Sequence, residues 1–143
     1  MEIFIRSITE QDAEAVNALS TQLGYKMPIE QTLANIRSVL GTKGHNAFVA
    51  THENKIIGWI GVAEALQIES APFCEIRGLI VDEKHRGQGI GKLLIDKVKQ
   101  WSKATGNKTL RLRTNMVRKE AHLFYQRVGF KAIKEQKVFE MNI

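Results

Sequence analysis

One cysteine, Cys74, is all the thiol chemistry this 143-residue chain has, so no internal disulfide can form. Cys74 lies in an apolar run and reads as a small buried hydrophobe rather than a nucleophile. No stretch reaches the roughly 18 consecutive apolar residues of a membrane-crossing helix, so no membrane contact is expected. The opening residues, Met1-Glu-Ile-Phe-Ile-Arg, lack a basic segment followed by an apolar one. No secretion leader is therefore expected, and a cytoplasmic location follows. His45, His52, His85 and His122 show no metal-ligand spacing and have no partner cysteine, so no metal is expected. Repeats, linkers and low-complexity segments are also missing, which points to one domain over residues 1–143.

What is present begins with charge. An apolar fraction of 43% and a charged fraction of 25% suit an ordinary globular domain. The net charge of +6 is concentrated in residues 82–113, where nine lysines and arginines meet three acids, while the rest of the chain cancels. Such a field attracts either a polyanionic small ligand or nucleic acid. No helix-turn-helix or aromatic stacking motif accompanies it, so nucleic acid is not an expected partner. Lys97, Lys99 and Lys103 read as a solvated helix face.

Inside the basic segment, Arg86-Gly87-Gln88-Gly89-Ile90-Gly91-Lys92 joins the end of an apolar run to the start of a helical pattern. Glycines admit positive φ and let a ligand lie against the backbone. The first helical turn leaves N–H donors unpaired, with partial positive charge around them. Together they make a phosphate cradle. It is not a P-loop, because Gly87 and Gly91 are one residue too close and Leu93 follows Lys92 in place of a hydroxyl. Nor is it a dinucleotide fingerprint: the glycines read G-x-G-x-G, and Arg111 stands near where an acid belongs.

Periodicity gives strands near residues 2–8, 46–51, 55–63, 73–81 and 109–114, a closing pair at 130–133 and 137–141, and helices near 12–23, 28–40, 90–105 and 118–128. The order β-α-α-β-β-β-α-β-α-β-β predicts an α/β sandwich with helices on both faces of a central sheet.

Two motifs in this order carry a family resemblance. Arg86-x-x-Gly89-x-Gly91 resembles the R/Q-x-x-G-x-G/A motif of the GNAT superfamily of N-acetyltransferases. Ala121-x-x-Phe124-Tyr125-x-x-x-Gly129-Phe130 is similar to that family's A-x-x-F-Y-x-x-x-G-F signature. The resemblance covers nearly the whole chain and is strongest from Glu75 to Phe130. It implies a three-layer sandwich with a mixed central sheet and acetyl-CoA as cosubstrate. Leu79, Ile80 and Val81 would lie along the pantetheine arm, residues 86–92 would hold the pyrophosphate, and Asn115 would reach the pantetheine or adenylate side. Tyr125 would face the sulfur.

Acetyl transfer to an amine requires the amine to lose a proton and favours protonation of the departing thiolate. A phenol with pKa about 10 suits the second task, so Tyr125 is the expected general acid, with a core aromatic as the alternative. Glu75 precedes the pantetheine segment and is the expected base, or it simply pairs with Arg77 on the same face. Tyr25, Trp59, Glu64 and Glu69 are candidates for the acceptor pocket, offering carboxylates and aromatic faces to a cationic amine. The expected reaction is direct attack by a primary amine, with an aminoglycoside-like compound, a polyamine or an amino acid as acceptor. Protein acetylation and a non-catalytic acyl-CoA sensor are the alternatives. A homodimer paired through the terminal strands is left open.

Overall fold

Apolar runs and alternating segments pair into one sheet. Its strands are β1 (Phe4–Ser7), β2 (His45–His52), β3 (Lys55–Ala65), β4 (Phe73–Val81) and β5 (Leu110–Leu112), arranged in that order. The first four run antiparallel to their neighbours, and β5 runs parallel to β4. The structure, a computed structural model, describes every residue except Asn115. It divides into two compact units, Met1–Arg113 and Thr114–Ile143.

In the first unit the sheet is covered on both faces. Helices α1 (Ala13–Gln22) and α2 (Ile29–Leu40) contribute Ala13, Val16 and Ile36 to a cluster with Ile8, Ala47 and Val49, against which Trp59 packs. The opposite face belongs to α3 (Ile90–Ala104): a Cβ built on Gly58 would lie 3.3 Å from Leu94 and 3.5 Å from Ile90. Strand alternation then places Trp59, Gly61 and Ala63 on the α1–α2 face, and Gly58, Ile60 and Glu64 on the α3 face. The α3 stripe is buried through Ile90, Leu94, Ile95 and Val98, each worth about 1.5–3 kcal/mol of burial. Leu93, beside Leu94 in sequence, points away from the sheet and is exposed. Cys74 is fully buried, as its apolar context required.

Local chemistry sets the element ends. The Thr9 N–H donates to the Asp12 carboxylate at 2.8 Å, and the Arg6 guanidinium forks the same carboxylate at 2.8 and 2.9 Å. This fixes the turn that starts α1. Pro28 caps α2 with its preset φ of −61°. Glu53 and Asn54, both with positive φ, form the tight hairpin between β2 and β3.

The second unit contains α4 (Lys119–Arg127), followed by Gly129 at φ +109°. The expected closing strands at 130–133 and 137–141 are not formed. A strand exists only by exchanging backbone hydrogen bonds with a neighbour, and among the described residues no backbone group of 131–143 makes one. Ile133, Val138, Phe139 and Met141 are accordingly exposed.

Candidate functional site

β4 is paired unequally along its length. Cys74, Glu75 and Ile76 face Leu110, Arg111 and Leu112 of β5, and pairing with β5 stops there. On the other edge β3 stays in register with β4 to Val81, but the register shifts between Gly61 and Val62. Gly78 opposes Gly61 and Ile76 opposes Val62, so Arg77 has no opposite residue. An extra residue of this kind twists and bends its strand. Beyond the bulge, among the described residues, 78–81, the stretch that includes Leu79, Ile80 and Val81, pair with β3 on one edge and with no strand on the other. Gly78 is required there: a Cβ would come within 2.6 Å of the Trp59 indole.

The strand ends at the glycine turn. Gly87 and Gly89 have φ of +78° and +82°, and Gly89 is the left-handed N-cap of α3. A Cβ at either would meet nothing within 4 Å, so the space beside both residues is open. Among the described residues, the backbone N–H groups of Arg86, Gly87, Gln88, Gly89, Ile90, Gly91 and Lys92 donate to no protein acceptor. Unpaired donors at a helix N-terminus are an anion site with directional hydrogen bonds. The flanking cations are less free than their spacing suggested. Arg86 Nε donates to the Val81 carbonyl at 3.2 Å, and Lys92 Nζ pairs with Asp96 at 2.8 Å.

A clamp on this turn had no signature in the sequence. Gln22, at the end of α1, donates to Asp82 Oδ1 at 3.0 Å and accepts from the Glu83 N–H at 3.1 Å. The His85 ring lies 2.8 Å from Asp82 Oδ2. Gln22 and His85 together hold the Asp82 carboxyl below the usual carboxylate range. The partners Gln22 and Asp82 are 60 residues apart, which is why pattern reading passes over them.

Glu75 is buried on β4, and its two oxygens are shared between arginines. Arg77 Nε approaches Oε1 at 3.2 Å and Arg113 Nε approaches Oε2 at 3.3 Å. Arg111, its register partner on β5, stacks its guanidinium 4.1 Å from the Phe73 ring. The pairing of Glu75 with Arg77, one of the two sequence readings, is therefore present, with Arg113 added from across the sheet.

Of the other candidates, Trp59 faces Ile80 across the β3–β4 ladder and is partly buried. Glu64 lies on the α3 face and accepts from the buried Asn107 amide at 2.7 Å, which ties the strand to the end of α3. This puts it on the side of the sheet away from Trp59 and Glu75. Tyr25 and Glu69 are exposed. Asn115 lies outside the described residues. In the second unit Tyr125 is half-buried on α4, between Phe124 at 5.4 Å and Phe130 at 6.1 Å. Burial pushes the Tyr125 phenol above its ordinary value, against the opposing pull of Arg118. Such a phenol keeps its proton at neutral pH and has one to give.

Comparison with known proteins agrees with this architecture. A family model described as "Acetyltransferase (GNAT) family" matches residues 13–130. "N-acetyltransferase 8" of Homo sapiens is 34% identical over 99 residues, covering 66% of this chain, and the chain spans 42% of that relative's length. "Aminoalkylphosphonate N-acetyltransferase" of Salmonella typhimurium is 29% identical over 133 residues, covering 89% of this chain and 84% of that protein. Among solved structures, the aminoglycoside 6'-N-acetyltransferase AAC(6')-Ih from Acinetobacter baumannii superposes with a TM-score of 0.88 at 18% identity, covering 99% of each chain. AAC(6')-Iy in complex with CoA gives 0.89 at 20% identity, covering 99% of this chain and 96% of that one. At these identities the structures speak for the fold.

Proposed function

Since this chain belongs to the acetyltransferase (GNAT) family, we propose that it moves the acetyl group of acetyl-CoA to the primary amine of a small molecule by direct attack. The observation that carries this reading is the run of unsatisfied amides at residues 86–92, placed at the end of the half of β4 that is unpaired on one edge. The match over residues 13–130 runs through both compact units and supports reading them as one catalytic domain. The aminoalkylphosphonate acetyltransferase relative favours a small acceptor over a protein one.

In this mechanism the amides of 86–92 bind the cosubstrate's pyrophosphate, and Leu79 and Val81 offer strand-like hydrogen bonds to its pantetheine arm. An N–H near Ile80 polarises the thioester carbonyl, where negative charge grows as the amine attacks. The amine nitrogen bonds to the acyl carbon and the carbon–sulfur bond breaks. The Tyr125 hydroxyl then gives its proton to the departing sulfur. With both Glu75 oxygens engaged by arginines, its geometry favours an orienting role, and the ammonium proton leaves to solvent.

Two measurements test the proposal. Calorimetry should show heat of binding with acetyl-CoA and with CoA, and its absence on folded protein would end the proposal. Thiol release across a panel of small amines should be slowed by Tyr125→Phe by about 10²–10⁴-fold. Binding without release for any amine would instead mark a non-catalytic acyl-CoA sensor.

A further inference from the structure

Building on the acetyltransferase reading, we infer that the acceptor carries an acid group as well as its amine, and that the guanidiniums of Arg77 and Arg113 receive that acid. The inference starts from which nitrogens are used. Each arginine meets Glu75 through Nε, the nitrogen nearest its stem. Among the described residues, no hydrogen bond occupies the Nη donors of either one. The two side chains are 58% and 66% exposed, against 8% for Glu75. A buried carboxylate thus fixes two guanidinium forks and leaves their outer donors facing solvent, the arrangement that grips a carboxylate or phosphonate through paired N–H groups.

Charge and position agree with this. Arg111 adds a third guanidinium beside Glu75, and its Nε is buried with no hydrogen-bond partner among the described residues. Arg77, Arg111 and Arg113 against Glu75 leave a surplus of positive charge on this patch. Glu75 opposes Ala63 on β3, so it shares the α1–α2 face with Trp59 and Ile80. The α3 side of the same strands is filled by Ile90 and Leu94 at Gly58, whereas Arg77 and Arg113 on the other face are more than half exposed, so an acceptor can reach β4 from the arginine side. Arg77 is three residues before Ile80, about 10 Å along a strand. An arginine side chain spans much of that distance, so amine and acid would be separated by only a few bonds, as in short amino acids and aminophosphonates.

The test is a matched acceptor panel, propylamine against β-alanine and 2-aminoethylphosphonate, with thiol release as one readout and thermal stabilisation in the presence of CoA as the other. Expected is a preference in kcat/KM of at least about ten-fold for the acids over propylamine. That ratio should fall about ten-fold in Arg77→Gln and in Arg113→Gln, with partial recovery in the Arg→Lys variants. Stabilisation by the two acids, and not by propylamine, should shrink in the Gln variants alike. Comparison of the two acids shows whether carboxylate or phosphonate is the better fit. Equal use of propylamine and the acids, or a ratio unchanged in both Gln variants, would overturn the inference while leaving the acetyltransferase reading intact. Failure of acetyl-CoA to bind would instead strike that reading, and stabilisation by the two acids without coenzyme would still decide whether the arginines hold an acid.

Discussion

Residues 73–76 and 78–81 of β4 are both mostly apolar, with Glu75 in the first and Gly78 in the second as the exceptions, yet they live in different surroundings. The first half is hydrogen-bonded on both edges, to β3 and to β5, and Phe73, Cys74, Glu75 and Ile76 are all buried. Among the described residues, the second half is paired with β3 alone, and it runs into the glycine turn. Between them lies the bulge at Arg77. The bulge divides one strand into a piece paired on both edges and a piece paired on one, to which the proposed function gives the ligand. What separates them is backbone satisfaction. A strand edge with no neighbour is normally a liability, and here, among the described residues, it is confined to the few residues next to the glycine turn.

The sharpest way to break the contrast is at the hinge. Gly78→Ala would place a Cβ at 2.6 and 2.8 Å from two atoms of the Trp59 ring. The indole is rigid and wedged against the α1–α2 cluster, so either the ring or the strand must shift. Overpacking of this kind costs about 1–3 kcal/mol, and the upper part of that range is expected. Acetyl-CoA affinity should fall as well, because the second half of β4 is what moves. Trp59→Phe in the same chain removes the clashing atoms and should restore much of both. Chemical denaturation and calorimetry on the single and double variants check the coupling. A Gly78→Ala protein with unchanged stability would mean that the bulge does not hold the two halves apart.

A smaller effect sharpens the ligand-facing half. Gly89 and Gly106 flank the two ends of α3, with φ of +82° and +88°, and a Cβ on either would meet nothing within 4 Å. Alanine at each should therefore cost about 1 kcal/mol for the left-handed backbone alone. The stabilities of Gly89→Ala and Gly106→Ala should match. Their affinities for acetyl-CoA should not: Gly89 caps the end of α3 whose free amides the proposal assigns to the phosphates, and Gly106 lies at the far end. Equal affinities would remove Gly89 from the cradle.

How much of this could be read in advance follows from how local each signal is. The glycine turn was legible because its chemistry lies within a few consecutive residues. The span of β4 was legible because residues 73–81 form one apolar run. The departure of β5 after Ile76, the arrival of Arg113 at Glu75 and the Gln22 clamp on Asp82 were not, because each depends on a register or contact between distant segments. Residues 137–141 show the reverse error. Their composition favours a strand, but propensity supplies no partner, and the ladder is what makes a strand. Glu64 reads in the sequence as a carboxylate for the acceptor pocket, but Asn107, 43 residues away, occupies it on the opposite face.

The smallest expected effect concerns a second buried, arginine-held carboxylate, which serves as a reference for Glu75. Asp12 is gripped by one arginine in a fork, whereas Glu75 is divided between two. Burial alone would raise the Asp12 carboxyl, but the hydrogen bonds from Arg6 and the Thr9 N–H outweigh it and hold the group below its ordinary value of 3.8. A depressed carboxylate binds its proton less readily folded than unfolded, so its contribution is present above about pH 3.8 and fades as the pH drops toward the lower folded value. Arg6 is 44% exposed, and solvent screening keeps the contribution modest. Stability measured from pH 5 to 3 should therefore fall more steeply in the native chain than in Asp12→Asn. Parallel slopes would show that a forked arginine on a buried carboxylate adds nothing here, whereas a steep native slope would mean that such a grip stabilises, and would weaken the case that the split grip on Glu75 is there to aim its arginines rather than to hold the sheet.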